Sequence, residues 1–161
     1  MPARRRLAIV AGALFVAFVT TDCDQAANHA GTLIKKFNSY AILHTPPPGG
    51  VEVAHASDKG SSSGITGRDP GIAVVYATTT SVPNLIAYYQ TTYPGYHISI
   101  DCCTSATTGT LLGRDGYVNI GIDIATIHPY LLAHYDLKLN GKQPGVPTYI
   151  TVNVSGQPRG N

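Results

Sequence analysis

The sequence predicts an α+β fold: a two-layer antiparallel sheet with one main helix packed on one face, in the order β-β-α-β-β-β-β. Three patterns carry that expectation. Val118, Ile120, Ile122 and Ile124 alternate with Asn119, Gly121 and Asp123, and Ile150, Val152 and Val154 repeat the alternation, the period of a half-buried strand. Val82, Leu85, Ile86, Tyr89 and Tyr93 fall at i, i+3, i+4, i+7 and i+11, a single stripe along one helix face. Turn-forming pairs such as Pro94-Gly95 and Asp115-Gly116 punctuate these runs.

Residues 1–22 read as a signal peptide or signal-anchor. Arg4, Arg5 and Arg6 form a basic n-region, and Leu7 to Val19 is a run of 13 residues without a charge. That length suits an h-region and is short of the roughly 20 residues of a spanning helix. Cys23 follows four residues later and resembles the lipidated cleavage-site cysteine of bacterial lipoproteins. The lipoprotein pattern has an aliphatic residue three places before the cysteine and a small one just before it, where this chain has Thr20 and Asp22. Lipidation at Cys23, ordinary secretion and a retained anchor all stay open.

The charge balance depends on that leader. The chain has 161 residues, 11 Lys and Arg against 9 Asp and Glu, and a formal net charge of +2. Taking away Arg4, Arg5, Arg6 and Asp22 leaves 8 basic and 8 acidic residues, so the remainder is neutral. Charged residues make up 12%, against about 25% in an average soluble domain. No basic field for nucleic acid exists. With 43% apolar residues the chain is also unlike a charge-rich disordered one.

Residues 23–45 read as a tether holding a short helix, because Leu33, Ile34, Phe37, Ala41 and Ile42 recur at helical spacing. Pro46-Pro47-Pro48-Gly49-Gly50 ends it and marks the start of a domain over 46–156, with 157–161 as a tail. Val51 to Ala56 is the first strand, with Val51 and Val53 on one face. Asp58 to Gly71 is a Gly/Ser loop. Ile72 to Thr78 is apolar on both faces and so central in the sheet. Ser81 stands where it can cap a helix running to about Tyr93, Pro83 fits its first turn, and Pro94-Gly95 stops it.

Tyr96 to Cys102 alternates, with Tyr96, Ile98, Ile100 and Cys102 inward and His97, Ser99 and Asp101 outward. Thr107 to Leu112 is the next strand. Gly113-Arg114-Asp115-Gly116 makes a hairpin turn into Tyr117 to Ile124. Tyr130 to Leu139 fits helix or loop, Gly141 to Pro147 is a loop, and Tyr149 to Val154 is the last strand. Burying four inward aliphatics from one strand contributes on the order of 6–10 kcal/mol before chain entropy is counted.

Four stretches of this domain resemble small actinobacterial secreted or lipoprotein-type domains of uncharacterised function. They are Pro47-Pro48-Gly49-Gly50, Val75-Tyr76-Ala77-Thr78, Leu85-Ile86-Ala87-Tyr88-Tyr89, and Leu111-Leu112 running through Gly113-Arg114-Asp115-Gly116 to Tyr117-Val118. The resemblance covers about residues 46–125. It implies export and a mixed sheet-and-helix domain, and it brings no catalytic residues.

The residues offer little chemistry. None of the six histidines pairs at the i, i+4 spacing of a helical metal site, and no cofactor motif is present. His97 and Asp101 share the outward face of one expected strand, with Cys103 next to them as a third surface group. Cys102 and Cys103 are adjacent, open to a vicinal disulfide or to two ordinary thiols. Tyrosine is more suggestive, with 10 Tyr against 3 Phe and no Trp. Tyr88, Tyr93, Tyr96 and Tyr117 form a candidate patch with an exposed phenolic edge, suited to protein or carbohydrate contact. The plainer alternative is amphipathic tyrosines closing the rim of a small core. The leading expectation is an exported cell-envelope module that binds rather than catalyses, held to the membrane by lipid or anchor or secreted, with an envelope protein or glycan as partner. The alternative is a small extracytoplasmic hydrolase or thiol-redox enzyme using His97, Asp101 and Cys102/Cys103.

Overall fold

The computed structural model describes residues 29–60, 69–102, 104–126 and 148–156. Their centre is a six-stranded antiparallel sheet of β1 (Val51–Asp58), β2 (Gly71–Thr78), β3 (Ser99–Cys102), β4 (Thr108–Asp115), β5 (Val118–Ala125) and β6 (Thr148–Ser155). The spatial order is β1-β2-β6-β5-β4-β3. Helix α1 covers 29–37 and helix α2 is Val82–Thr92, with short 3₁₀ turns at Ala41–Leu43 and Pro94–Tyr96. The α+β class with an antiparallel sheet therefore holds. The expected order with a single main helix does not, because α1 stands before β1.

The register explains the core. Three rows of side chains cross the sheet on the helix-covered face: Ile72, Val154 and Ile120; Val74, Val152, Ile122 and Leu111; Tyr76, Ile150 and Ile124. All are essentially buried. The alternating strands put every second residue into these rows. The first and third rows end on β4 at Gly113 and Gly109. A Cβ at Gly109 would lie 2.9 Å from Ile86 Cδ1 of α2, and one at Gly113 would lie 2.9 Å from Ile98 Cγ1 and from the Tyr96 carbonyl. The missing side chains let α2 and the turn after it lie close on β4.

Helix α2 buries Val82, Leu85, Ile86 and Tyr89 of the expected stripe, while Tyr93, its fifth member, is the half-buried C-cap. Ser81 occupies the N-cap position but makes no side-chain capping bond. The opposite sheet face has a second buried cluster of Val53, Ala54, Val75, Ala77 and Tyr149. Strand β2 feeds both clusters, which is why all eight of its residues are buried.

Four expectations need correction. The segment 23–45 is not simply a tether: within it Leu33, Phe37, Tyr40, Ile42 and Leu43 are buried in the main core. Phe37 and Leu33 lie one turn apart on α1, and the Tyr76 hydroxyl donates to the Leu43 carbonyl at 2.7 Å, fastening the segment to β2. Pro46–Gly50 is a tight turn joined to the end of β2, where the Thr78 and Thr80 hydroxyls donate to the Pro48 carbonyl.

Val51 is 49% exposed while Val53 is buried, because a bulge between Glu52 and Ala54 shifts the register. The strand expected over 96–102 begins only at Ser99. Ile98 is half-buried and Ile100 is 48% exposed, since β3 is an edge strand that meets no further neighbour among the described residues. The β4–β5 hairpin pairs Asp115 with Val118, so its loop is Gly116-Tyr117 and not a turn over 113–116. Gly116 has φ +60°, the left-handed conformation needed at the first position of a type II′ loop.

The leader 1–22, Cys23, most of the Gly/Ser loop, the stretches 130–139 and 141–147, and the tail 157–161 lie outside the described residues. No helix among the described residues is long and apolar enough to cross a membrane.

Candidate functional site

Four elements bring tyrosines to one rim of the helix-covered face. Tyr88, Tyr89 and Tyr93 come from the last turn of α2 and its end. Tyr96 closes the 3₁₀ turn. Tyr40 follows α1, and Tyr117 occupies the β4–β5 loop.

The local spacing builds the middle of this strip. Tyr89 and Tyr93 are i, i+4 neighbours at the end of α2, with ring centroids 6.2 Å apart. Pro94 then forces a tighter winding. The Tyr96 N–H donates to the Tyr93 carbonyl at 3.1 Å. With three residues per turn, side chains at i and i+3 eclipse one another. Tyr93 and Tyr96 accordingly stack at 5.8 Å with only 7° between planes. Tyr96 continues to Tyr40 at 5.6 Å. Tyr88 leans edge-on against Tyr89 and Tyr93 at 5.1 and 6.2 Å.

Polar contacts close the far end. The Tyr40 hydroxyl donates to Asp115 Oδ2 at 2.7 Å. Lys36 Nζ lies 4.4 Å from the Tyr117 ring centroid and donates to the Tyr117 hydroxyl at 3.1 Å. These contacts latch α1 and the chain after it onto the β4–β5 hairpin.

The phenols divide by exposure. Tyr40 and Tyr89 are buried, whereas Tyr88, Tyr93, Tyr96 and Tyr117 are half-buried. Burial pushes the acidity of Tyr40, Tyr89, Tyr93 and Tyr96 below that of an ordinary phenol, so each holds its proton to higher pH. At Tyr40 the hydrogen bond to Asp115 adds to that effect. Tyr76, beneath the strip, is pushed up to about 12, chiefly by burial. The Tyr89 hydroxyl is buried with no hydrogen-bond partner, and the buried Tyr93 hydroxyl has the side chains of Tyr88 and Thr45 as its nearest polar neighbours. Because the ring faces pack on one another and the Tyr89 and Tyr93 hydroxyls are buried, the strip offers ring edges and the half-buried Tyr88, Tyr96 and Tyr117 to its surroundings.

All four expected patch residues lie on this strip. Two more members join them. The helical spacing points to Tyr89 only as part of the buried stripe. Tyr40 gave no local signal at all, because its partners are far along the chain. The 89–93–96 spacing was readable as an α-helical step followed by a 3₁₀ step at Pro94.

The other expected cluster is differently placed. His97 is not on a strand: it ends the 3₁₀ turn at φ +49°, its N–H donating to the Pro94 carbonyl at 3.3 Å. Asp101 is the residue at the irregularity between Ile100 and Cys102 on β3. Its electrostatic neighbour is Asp123, whose carboxyl is held above the usual range mainly by burial, with Asp101 adding and the Thr110 hydroxyl opposing. Thr110 donates to Asp123 Oδ1 at 3.1 Å. Cys102 ends β3, and Cys103 and Cys23 lie outside the described residues. Among the described residues, no three His, Cys, Asp or Glu side chains come together as metal ligands.

The chain matches no family model, no curated protein and no solved structure.

Proposed function

We propose that this chain is an exported, envelope-associated module that acts by binding, and that the tyrosine strip is its contact surface. The observation that carries the reading is the ring chain from Tyr88 and Tyr89 through Tyr93 and Tyr96 to Tyr40. Its neighbours hold each ring in place, so little side-chain freedom remains to be lost on association. The half-buried Tyr88, Tyr96 and Tyr117 at its surface combine an apolar body with a polar phenolic end, which suits a polar protein surface or a glycan.

The leader supports export. Arg4, Arg5 and Arg6 followed by the apolar run Leu7–Val19 is the pattern of a secretory signal. The resemblance to actinobacterial secreted and lipoprotein-type domains agrees with it. In the tethered form, a lipid on Cys23 leaves five residues, 24–28, between it and His29, the first described residue. At ~3.5 Å per extended residue, the domain would stay within roughly 20 Å of the membrane surface. The fold serves as a two-layer scaffold, with helices over one sheet face and the strip along its rim.

The test uses the full chain in its native host. The paired change Tyr88→Ala and Tyr117→Ala should abolish co-sedimentation with isolated envelope while the protein still melts cooperatively, at a Tm lowered by the lost ring packing and the lost Lys36 contact. Equal binding by both proteins would end this reading of the strip. The N-terminal mass reports the tether separately: a diacylglyceryl adduct on Cys23 means an anchored module, a clean start near residue 23 a secreted one, and an intact Met1 a retained anchor.

A further inference from the structure

The described phenols differ in where their hydroxyl proton can go. Tyr40 donates to an anionic carboxylate, Asp115 Oδ2, at 2.7 Å. Tyr76 donates to a neutral backbone carbonyl, that of Leu43. The Tyr117 hydroxyl accepts from Lys36, and the same ammonium lies over its ring. Tyr89 has no hydrogen-bond partner, and Tyr93 has only the neutral hydroxyls of Tyr88 and Thr45 near it.

These differences decide which phenol loses an electron most readily. Removing one electron from a phenol makes its O–H strongly acidic, so the neutral radical forms easily only where a base takes the proton in the same step. A carboxylate is a far stronger base than an amide carbonyl, and a charge-assisted bond is short and well aligned for transfer. A buried hydroxyl without an acceptor must keep its proton, leaving a radical cation in a poorly solvated site. A cation over the ring opposes positive charge there.

Tyr40 is also connected to the surface. It is only 6% exposed itself. Its ring lies 5.6 Å from Tyr96, which stacks on Tyr93 at 5.8 Å, and Tyr93 meets Tyr88 at 6.2 Å. Tyr88, Tyr93 and Tyr96 are half-buried and so within reach of a solute. Near-contact π systems pass an electron readily.

We infer that the strip is an oxidation relay that gathers one-electron oxidising equivalents from oxygen-centred radicals or comparable outer-sphere oxidants at Tyr40. The oxidant meets an outer ring and gains one electron. That electron comes from Tyr40 by tunnelling through the Tyr96 and Tyr93 rings, which keep their protons and are not themselves left oxidised. The Tyr40 O–H bond breaks, its proton moves to Asp115 Oδ2, and a neutral phenoxyl radical remains. The site is one of modification as well as transfer, since this radical can then be trapped covalently. The inference rests on ring and proton geometry and does not depend on what the strip binds.

The test exposes the full chain to photo-oxidised ruthenium tris-bipyridine with persulfate. Freeze-quenched electron paramagnetic resonance and peptide mapping then locate the radical and its products. The wild type should concentrate oxidation at Tyr40, with slower radical formation in deuterated buffer. Asp115→Asn keeps the shape of the acceptor but removes its basicity, and should cut the Tyr40 yield several-fold while oxidation moves to Tyr88, Tyr96 and Tyr117. Tyr96→Phe should also lower the Tyr40 yield by breaking the path, whereas Tyr117→Phe should leave it unchanged. Unaltered near-ultraviolet circular dichroism confirms that each variant is folded. Oxidation that follows solvent exposure with Tyr40 a minor site, or a Tyr40 yield and isotope effect untouched by Asp115→Asn, overturns the inference.

Discussion

The aliphatic rows across the sheet and the tyrosine strip along its rim lie on one face and are built on opposite principles. In the rows, Ile120, Ile122, Val152 and Val154 contribute apolar area and carry no side-chain polar atom to satisfy. In the strip, Tyr89 keeps a buried hydroxyl that the fold leaves unpartnered. A phenylalanine at Tyr89 would pack the same ring without that cost. The rows are therefore the stability of the molecule. The strip carries groups that stability alone does not explain, which is the pattern expected where a surface is kept for another task.

The largest effect that can test this contrast lies in the rows. Ile120→Asp places a carboxylate without a partner among Val118, Ile122 and Val154. A loss of about 5 kcal/mol or more, comparable to the whole stability of a small domain, should leave the chain unfolded. A cooperative melt near wild type would show that this row is not the core.

Gly113→Val tests how the two regions are joined. Its added carbons meet Ile98 and the Tyr96 carbonyl, and overpacking of this kind costs about 1–3 kcal/mol. It should also lift the 3₁₀ turn, separating Tyr96 from Tyr40 and weakening the near-ultraviolet circular dichroism. An unchanged aromatic spectrum would mean that the glycine does not set the strip's position.

Tyr89→Phe has the opposite sign. Removing a buried, unpartnered hydroxyl should raise stability by about 1 kcal/mol, read as a higher Tm. A lower Tm would mean that the hydroxyl is bonded after all.

The smallest effect is one of pH. Tyr40, Tyr76, Tyr89, Tyr93 and Tyr96 have folded-state pKa values above that of an exposed phenol. The folded state therefore binds their protons more tightly than the unfolded state. The associated stability is fully present below the unfolded value of about 10 and is lost as pH rises through the folded values. An alkaline titration followed by phenolate absorbance should show an early class of tyrosines and a late class that ionises together with unfolding. A single class at the ordinary value would contradict the burial of the strip.

The contrast also sets how far the sequence could be read. Strand alternation and the α2 stripe are local periodicities, and Ile120, Ile150 and Leu85 sit where those periods put them. Alternation says which residues share a face, however, and not whether anything covers that face. Ile100 keeps the period and is still half-exposed, because β3 is short and at an edge. Gly31 and Asn38-Ser39 interrupt the helical pattern around Phe37, which hid α1's place in the core. Most of the strip was legible from Tyr88, Tyr93, Tyr96 and Tyr117. Tyr40 was not, because the Asp115 carboxylate that holds it is 75 residues away in the chain.

If the half-buried phenols at the surface of the strip serve contact, their hydroxyls matter more to binding than to folding. Full-length protein carrying Tyr88→Phe, Tyr96→Phe and Tyr117→Phe together keeps the rings and deletes three hydroxyls, among them the one that accepts from Lys36. Its co-sedimentation with isolated envelope is measured beside its thermal melt. A cooperative melt, lowered by no more than the lost Lys36 bond, with a loss of binding is the expected result. Undiminished binding by the folded three-phenylalanine protein is the result that contradicts it.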